Sequence, residues 1–240
     1  MRRGVTIIGF DRPLHPRWIY ETLLLAQPGQ NMSELNKPFE GIARELTGKE
    51  GKRKVRTVLF RCFLRDKNNS ARVRNKLTLK DLSLRYGYEF MIPIFLFYLV
   101  ANTEIILKIS EHLFRLYDFG DEINTAFLRE KMISHHGERD VVVRSARAFL
   151  RTMSNFGVVK NSNGKWCFEE RLPLNEEQFR IILQLYAHEV LCSPQIALDR
   201  LPRGIFNYFS LPDVFSVARK YSGRHWDFQQ RVGASTLTVY

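Results

Sequence analysis

Cysteine is scarce in this chain. Three are present, Cys62, Cys167 and Cys192, and no two are close enough to form a CxxC pair. An odd, sparse count argues against a disulfide framework or a zinc site and fits a reducing cytoplasm, the expected location. Long apolar runs are also missing. The strongest, Phe90 to Ala101, contains Pro93 and runs into Asn102, Thr103 and Glu104. A membrane-spanning helix needs about 20 apolar residues, so this segment predicts a buried core helix and no membrane partner. The start, Met1-Arg2-Arg3-Gly4-Val5, has basic residues but only a short apolar run, broken by Asp11 and Arg12, and is not read as a signal peptide.

The signatures of common chemistries are absent too. Gly48-Lys49-Glu50-Gly51-Lys52 resembles a phosphate loop only briefly, because Leu46 stands where the first glycine belongs and Arg53 where Ser or Thr belongs. It reads as a solvated basic turn. The six histidines, His15, His112, His135, His136, His188 and His225, show no HExxH or other metal-ligand spacing. No G-x-S-x-G elbow presents a serine nucleophile, and no tight carboxylate group marks a nuclease metal site. The expectation is a protein that is not an enzyme and has no metal and no cofactor.

What the chain has is positive charge. The net charge is +12 with a pI near 9.8. From Met1 to Tyr86, Lys and Arg number 19 against 8 Asp and Glu, whereas the remainder has 18 against 17. A basic half joined to a neutral half points to a partner rich in phosphate, double-stranded DNA in this reading. The alternative is a solvated surface whose excess charge serves solubility. The same contrast divides the chain into a basic N-terminal helical domain, 1–86, and a helical domain, 87–240.

Hydrophobic periodicity predicts helices over His15 to Ala26, a short one from Ser33, Pro38 to Leu46, and Lys52 to Arg65. In the last of these Val55, Val58, Leu59, Cys62 and Phe63 form one stripe, so Cys62 is assigned to the core. Lys67 to Lys80 reads as a loop, with Arg72, Arg74, Lys76 and Lys80 exposed. Ile92 to Tyr117 is helical, in two pieces broken near Asn102. Asn175 to Val190 forms a helix with Phe179, Ile182, Leu183, Tyr186 and Val190 on one face. Ser193-Pro194 starts a short helix through Leu198, Asp213 caps another through Tyr221, and Trp226 to Tyr240, with Val232, Leu237 and Val239, closes as a hairpin around Gly233.

Four pieces between Thr125 and Phe168 follow the order of a winged helix-turn-helix, occupying about 121–170. A short helix covers Thr125 to Ser134, and His135-His136-Gly137 is a turn. Asp140 is the expected N-cap of a second helix, which runs to about Asn155 and stops at Gly157. Val158-Val159-Lys160 and Lys165-Trp166-Cys167-Phe168 are β-prone and flank Asn163-Gly164, a strong hairpin signal. On the second helix Val143, Ala146, Leu150 and Met153 form a stripe, and Arg144, Arg147 and Arg151 fall roughly 140° from it. A helix that packs with one side and shows arginines on another suits the major groove. The fold class expected is therefore mainly α: a multi-helix protein with a winged helix-turn-helix in its middle and a small β-hairpin wing.

The candidate DNA-binding residues come from charge and periodicity. In the basic half they are Lys49, Lys52, Arg53, Lys54, Arg56, Arg61, Arg65, Arg72, Arg74 and Lys76. On the second helix they are Arg144, Arg147 and Arg151, and on the hairpin Lys160 and Lys165, placed to reach phosphates. A docking module with solvated arginines is the competing reading.

Two further stretches carry a resemblance. The first is Tyr98-Leu99-Val100-Ala101-Asn102-Thr103-Glu104, leading to His112-Leu113-Phe114-Arg115-Leu116-Tyr117. The second is the helix ending Phe149-Leu150-Arg151-Thr152-Met153-Ser154-Asn155-Phe156-Gly157-Val158-Val159. With the helical C-terminal part and short β-like end, the layout from about Trp18 to Tyr240 resembles the BrxA family of bacterial phage-exclusion (BREX) systems. The resemblance implies a helical, cytosolic, non-catalytic DNA-binding protein that acts beside the methyltransferase, ATPase and other proteins of a defence system. It carries over no catalytic residue and no DNA-binding residue. A protein scaffold within such a complex, or a transcriptional regulator, are the alternatives.

Overall fold

Tyr88 to Asn102 is apolar on every side, and a helix of that kind has to be surrounded. In the computed structural model, which describes residues 9–66, 69–231 and 233–240, it lies at the centre of the molecule. The basic start Met1 to Val5, Lys67 and Val232 lie outside the described residues.

The protein is mostly helical. Before the central helix come α1 (Pro16–Leu25), a 3-10 turn (Met32–Leu35), α2 (Asn36–Ile42), α3 (Lys49–Phe63) and α4 (Thr78–Tyr86). The central helix is α5 (Tyr88–Asn102), and α6 (Glu104–Leu116) follows after a break at Thr103. Then come β1 (Glu122–Ile123), α7 (Thr125–His136), α8 (Asp140–Asn155), β2 (Val159–Ser162), β3 (Lys165–Phe168) and β4 (Leu172–Pro173). The C-terminal part holds α9 (Glu176–Leu185), a π-helical turn (Tyr186–Leu191), β5 (Gln195–Ala197), α10 (Arg203–Phe206), β6 (Phe209–Ser210), α11 (Val214–Lys220), β7 (Trp226–Arg231) and β8 (Ala234–Val239).

α1, α3, α4, α6, α9 and α10 all pack against α5. Met91 and every residue from Pro93 to Val100 is buried there, so the apolar run is a core helix. Among the described residues no single helix is long and apolar enough to cross a membrane. Cys62 is buried on the inner side of α3, beside Phe63, whose ring meets Phe95 edge-on and stacks on Tyr98.

Three small sheets complete the fold. β1, β3 and β2 form an antiparallel sheet in the order β1-β3-β2. β4 pairs in parallel with β6. β8 lies between β5 and β7, and the β7–β8 hairpin turns at Gly233, as expected.

Several expected boundaries move. The loop after α3 lies earlier than predicted, because α3 ends at Phe63 and α4 already starts at Thr78. Lys49 to Lys52 is no solvated turn: Gly48, at φ 86°, precedes α3, and these residues are its first turn. The segment after Ser193 forms β5 and a 3-10 turn in place of a helix, because its residues pair with β8. Local periodicity does not see that pairing.

Candidate nucleic-acid interface

Asn124 starts α7 by accepting a hydrogen bond from the Phe127 backbone N–H at 3.0 Å. The helix continues through His135 and His136, which were expected in the turn. It ends at Gly137, whose φ of 80° is open to glycine and strained for other residues. Arg139 is the extended residue before α8, and no side chain caps that helix. Asp140 is therefore not the N-cap. It is the first helical residue and pairs with Arg144 one turn on. An acid at a helix start is favoured by the exposed N–H groups there, even without a capping bond.

α8 buries Val142, Ala146, Phe149, Leu150 and Met153, together with Ser145, Ala148 and Thr152. Val143 is only half-buried. The buried side is wider than the periodicity indicated, for a reason outside the helix. Residues 9–14 run along its flank, where Thr152 Oγ1 accepts the Leu14 N–H and Asn155 Nδ2 donates to the Leu14 carbonyl. Between the exposed end residues Asp140 and Asn155, the residues left exposed are a strip opposite the core: Arg144, Arg147 and Arg151. Arg147 and Arg151 make no ion pair or hydrogen bond among the described residues, whereas Arg144 is engaged by Asp140.

The β2–β3 hairpin follows α8. Asn163 at φ 53° and Gly164 at φ 84° form its tight turn, braced by the Gly164 N–H on Asn161 Oδ1 at 3.2 Å. Its lysines are partnered. Lys165 donates to Glu122 at 2.8 Å, which raises the ammonium pKa, and Lys160 lies 3.7 Å from Glu169. Both lysines are exposed, so these pairs are weak and exchange readily with a phosphate. Phe114, Phe119 and Phe168 stack beneath, joining the hairpin to α6.

The cations of the basic half are more divided. On α3, Arg53 pairs with Glu50, Lys52 reaches the Glu40 carbonyl at 3.4 Å and Arg56 the Asn36 carbonyl at 3.5 Å. Arg61 turns inward and donates to the Gly9 carbonyl. A Cβ at Gly9 would lie 3.2 Å from Val141 and 3.3 Å from Arg61, so this contact brings the C-terminal half of α3 next to the start of α8. Lys49 is exposed and makes no hydrogen bond or ion pair among the described residues, whereas Lys54 is half-buried and adds to the positive charge around Glu50. Arg65, Arg72 and Lys76 are exposed as predicted, with Arg72 on the Gly29 carbonyl at 2.9 Å. Arg74 and Lys80 are not. Arg74 bonds to Tyr98 and lies 3.6 Å from Glu189, and Lys80 donates to the Ala26 carbonyl at 2.6 Å. Both are half-buried because α1, α5 and the π-helical turn cover them.

Compared with family models, curated proteins and solved structures, the chain matches none. Geometry and electrostatics alone therefore define the interface. The structure groups Arg144, Arg147 and Arg151 on one strip and Arg65, Arg74 and Lys76 around one cleft, while the α3 cations are divided, Lys49 and Arg53 exposed and the others half-buried. His136 adds little charge to the interface. His136 is half-buried, with its pKa lowered by burial and by His135, which stabilises the neutral ring.

Proposed function

We propose that residues 104–168 form a winged helix and that the protein is a non-enzymatic DNA-binding accessory protein of a phage-defence system. The elements run in the order α6-β1-α7-α8-β2-β3, with β1 on the far side of β3 from β2. In this reading α8 is the recognition helix and the β2–β3 hairpin is the wing. The observation that carries it is the exposed strip on α8, where Arg147 and Arg151 are free to meet phosphates or base edges. The net charge of +12 supplies long-range attraction to duplex DNA. The defence-system setting, with other defence proteins as partners, rests on the resemblance in layout between Trp18 and Tyr240.

A mobility-shift titration at about 50 mM salt tests the reading, because electrostatic binding is strongest there. Arg147→Glu with Arg151→Glu lowers duplex affinity at least about tenfold while the melting temperature stays near that of the parent. Lys49→Glu with Lys54→Glu tests α3 separately. Absence of duplex binding at that salt overturns the proposal. Unchanged affinity in the α8 variant removes α8 as the reading helix.

A further inference from the structure

A cleft of about 620 Å³ opens between Arg65, Asp66 and the segment from Arg74 to Thr78 on one side and the end of α9 with the π-helical turn on the other, and it shares no lining residue with the α8 strip. Its rim carries Arg65 and Lys76, both exposed, and its wall carries Arg74 and His188. Thr78, the first residue of α4, also lines it. No side chain caps α4; the Lys80 and Asp81 N–H groups donate to the Leu77 carbonyl, which leaves those of Thr78 and Leu79 without an acceptor among the described residues.

Two lining residues, Arg74 and Glu189, meet a buried tyrosine behind the cleft. Tyr98 donates to Glu189 at 2.9 Å and receives a hydrogen bond from Arg74, whose guanidinium lies over the tyrosine ring. Arg74 Nε is buried and has no acceptor among the described residues. The Glu189 carboxylate is thereby occupied, and Asp66, the other acid lining the cleft, accepts the Asn69 N–H in its own loop. Glu189 and His188 both come from the π-helical turn Tyr186–Leu191. Such turns are rare and concentrate at functional sites, because the inserted residue re-aims the side chains around it. His188 is held by the Tyr240 main-chain oxygen at 3.1 Å, which ties this wall to the C-terminal sheet.

We propose that this cleft binds a small phosphomonoester of nucleotide size. A phosphate near neutral pH carries up to two charges and accepts several hydrogen bonds. Arg65 and Lys76 answer the charge, and the uncapped start of α4 answers the hydrogen bonds. The volume lies within the range of sites for small ligands. Arg74 is a positioning residue, held by Tyr98 and Glu189 with one N–H left over. A cleft of this volume suits a molecule of nucleotide size and is too small to enclose a DNA duplex.

Thermal melting of the full chain tests this, with inorganic phosphate, the four 5′-ribonucleoside monophosphates and the corresponding nucleosides as probes. A monophosphate at about ten times its Kd raises the midpoint by roughly 3 to 6 °C, and the matching nucleoside does not. Arg65→Glu with Lys76→Glu abolishes the shift while leaving the unliganded midpoint near that of the parent, since both side chains are exposed. Arg147→Glu with Arg151→Glu keeps the shift, which separates this site from the α8 strip. A shift with phosphate alone assigns the site to the free anion and supports the same chemistry. No shift with any phosphorylated probe overturns the proposal, as does a shift that persists in the Arg65/Lys76 variant. Loss of duplex affinity in that variant without a monophosphate shift also overturns it, by making the cleft part of the DNA surface.

Discussion

Thr152, buried in the last turn of α8, accepts a hydrogen bond at 3.0 Å from the backbone N–H of Leu14, 138 positions earlier in the chain. Thr152 in turn donates to the Ala148 carbonyl at 2.8 Å, so its hydroxyl bridges the helix to the segment at residues 9–14. Asn155 grips the same residue through the Leu14 carbonyl. The contact narrows the exposed side of α8 to its arginine strip.

Thr152→Val keeps the side-chain shape and strands the Leu14 N–H in a buried site. A buried donor without a partner costs about 1 to 3 kcal/mol, which for a chain of this size lowers the melting temperature by roughly 2 to 12 °C. Hydrogen exchange at the Leu14 amide reports the same change locally and speeds up in the variant. An unaltered midpoint and unaltered exchange contradict the bridging role.

Arg147→Gln with Arg151→Gln changes the salt dependence of duplex binding. Each phosphate contact contributes about 0.9 to the slope of log K against log salt. Losing both therefore reduces the slope by about 2. Replacing Arg61, which is tied to the Gly9 carbonyl, leaves the slope alone. Equal slopes for parent and α8 variant show that the helix does not touch the backbone.

Glu177 governs an acid-sensitive contact between α9, α4 and α11. Its carboxylate takes two hydrogen bonds from Arg180 and one each from Tyr86 and Tyr221. The Arg180 hydrogen bonds are the main cause of its pKa falling from 4.5 to about 2. Because the folded value is the lower one, the contribution is fully present above about 4.5 and disappears as pH falls toward about 2. The group is a third exposed, so solvent screening limits the effect to about 1 kcal/mol. Glu177→Gln melts a few degrees below the parent at pH 7, at roughly 2 to 4 °C per kcal/mol. The gap closes as the pH is lowered through that window. A gap that is the same at every pH shows that the charge is not the source.

Tyr208 and Ser110 share a buried hydrogen bond of 2.6 Å between α6 and the segment before β6. Ser110 already donates to the Ile106 carbonyl, so the tyrosine hydroxyl is the donor of the pair. Burial pushes the Tyr208 phenol pKa up, which keeps it protonated. The two truncations are unequal. Tyr208→Phe leaves Ser110 with its carbonyl partner and costs about 1 kcal/mol, whereas Ser110→Ala strands a buried hydroxyl and costs about 1 to 3 kcal/mol. Urea titrations that rank them the other way refute this hydrogen-bond direction.

Much of the local structure is legible in the sequence. The periodicity of Val55, Val58, Leu59, Cys62 and Phe63 marks the buried side of α3, and Asn163-Gly164 marks the tight hairpin turn. The continuous apolar run marks α5 as the central helix. Each of these signals is contained within one element. The exposure of Arg144, Arg147 and Arg151 is legible for the same reason, since angular position on a single helix decides it.

The fate of the other cations is not local. Arg61 reads as a surface charge because it lies off the apolar stripe of α3, and Arg74 because it lies in a basic loop, yet one meets the Gly9 carbonyl and the other meets Tyr98 and Glu189. Val190 belongs to the expected apolar stripe of α9, but the π-helical turn shifts the register and leaves it half-buried, beside Glu189 in the cleft wall. By itself, then, the sequence determined the helical character, the central buried helix and the strip of arginines, because hydrophobic period and turn chemistry act over a few residues. Only the tertiary structure decided which cations stay free and where a cleft opens, because those depend on partners far away in the chain.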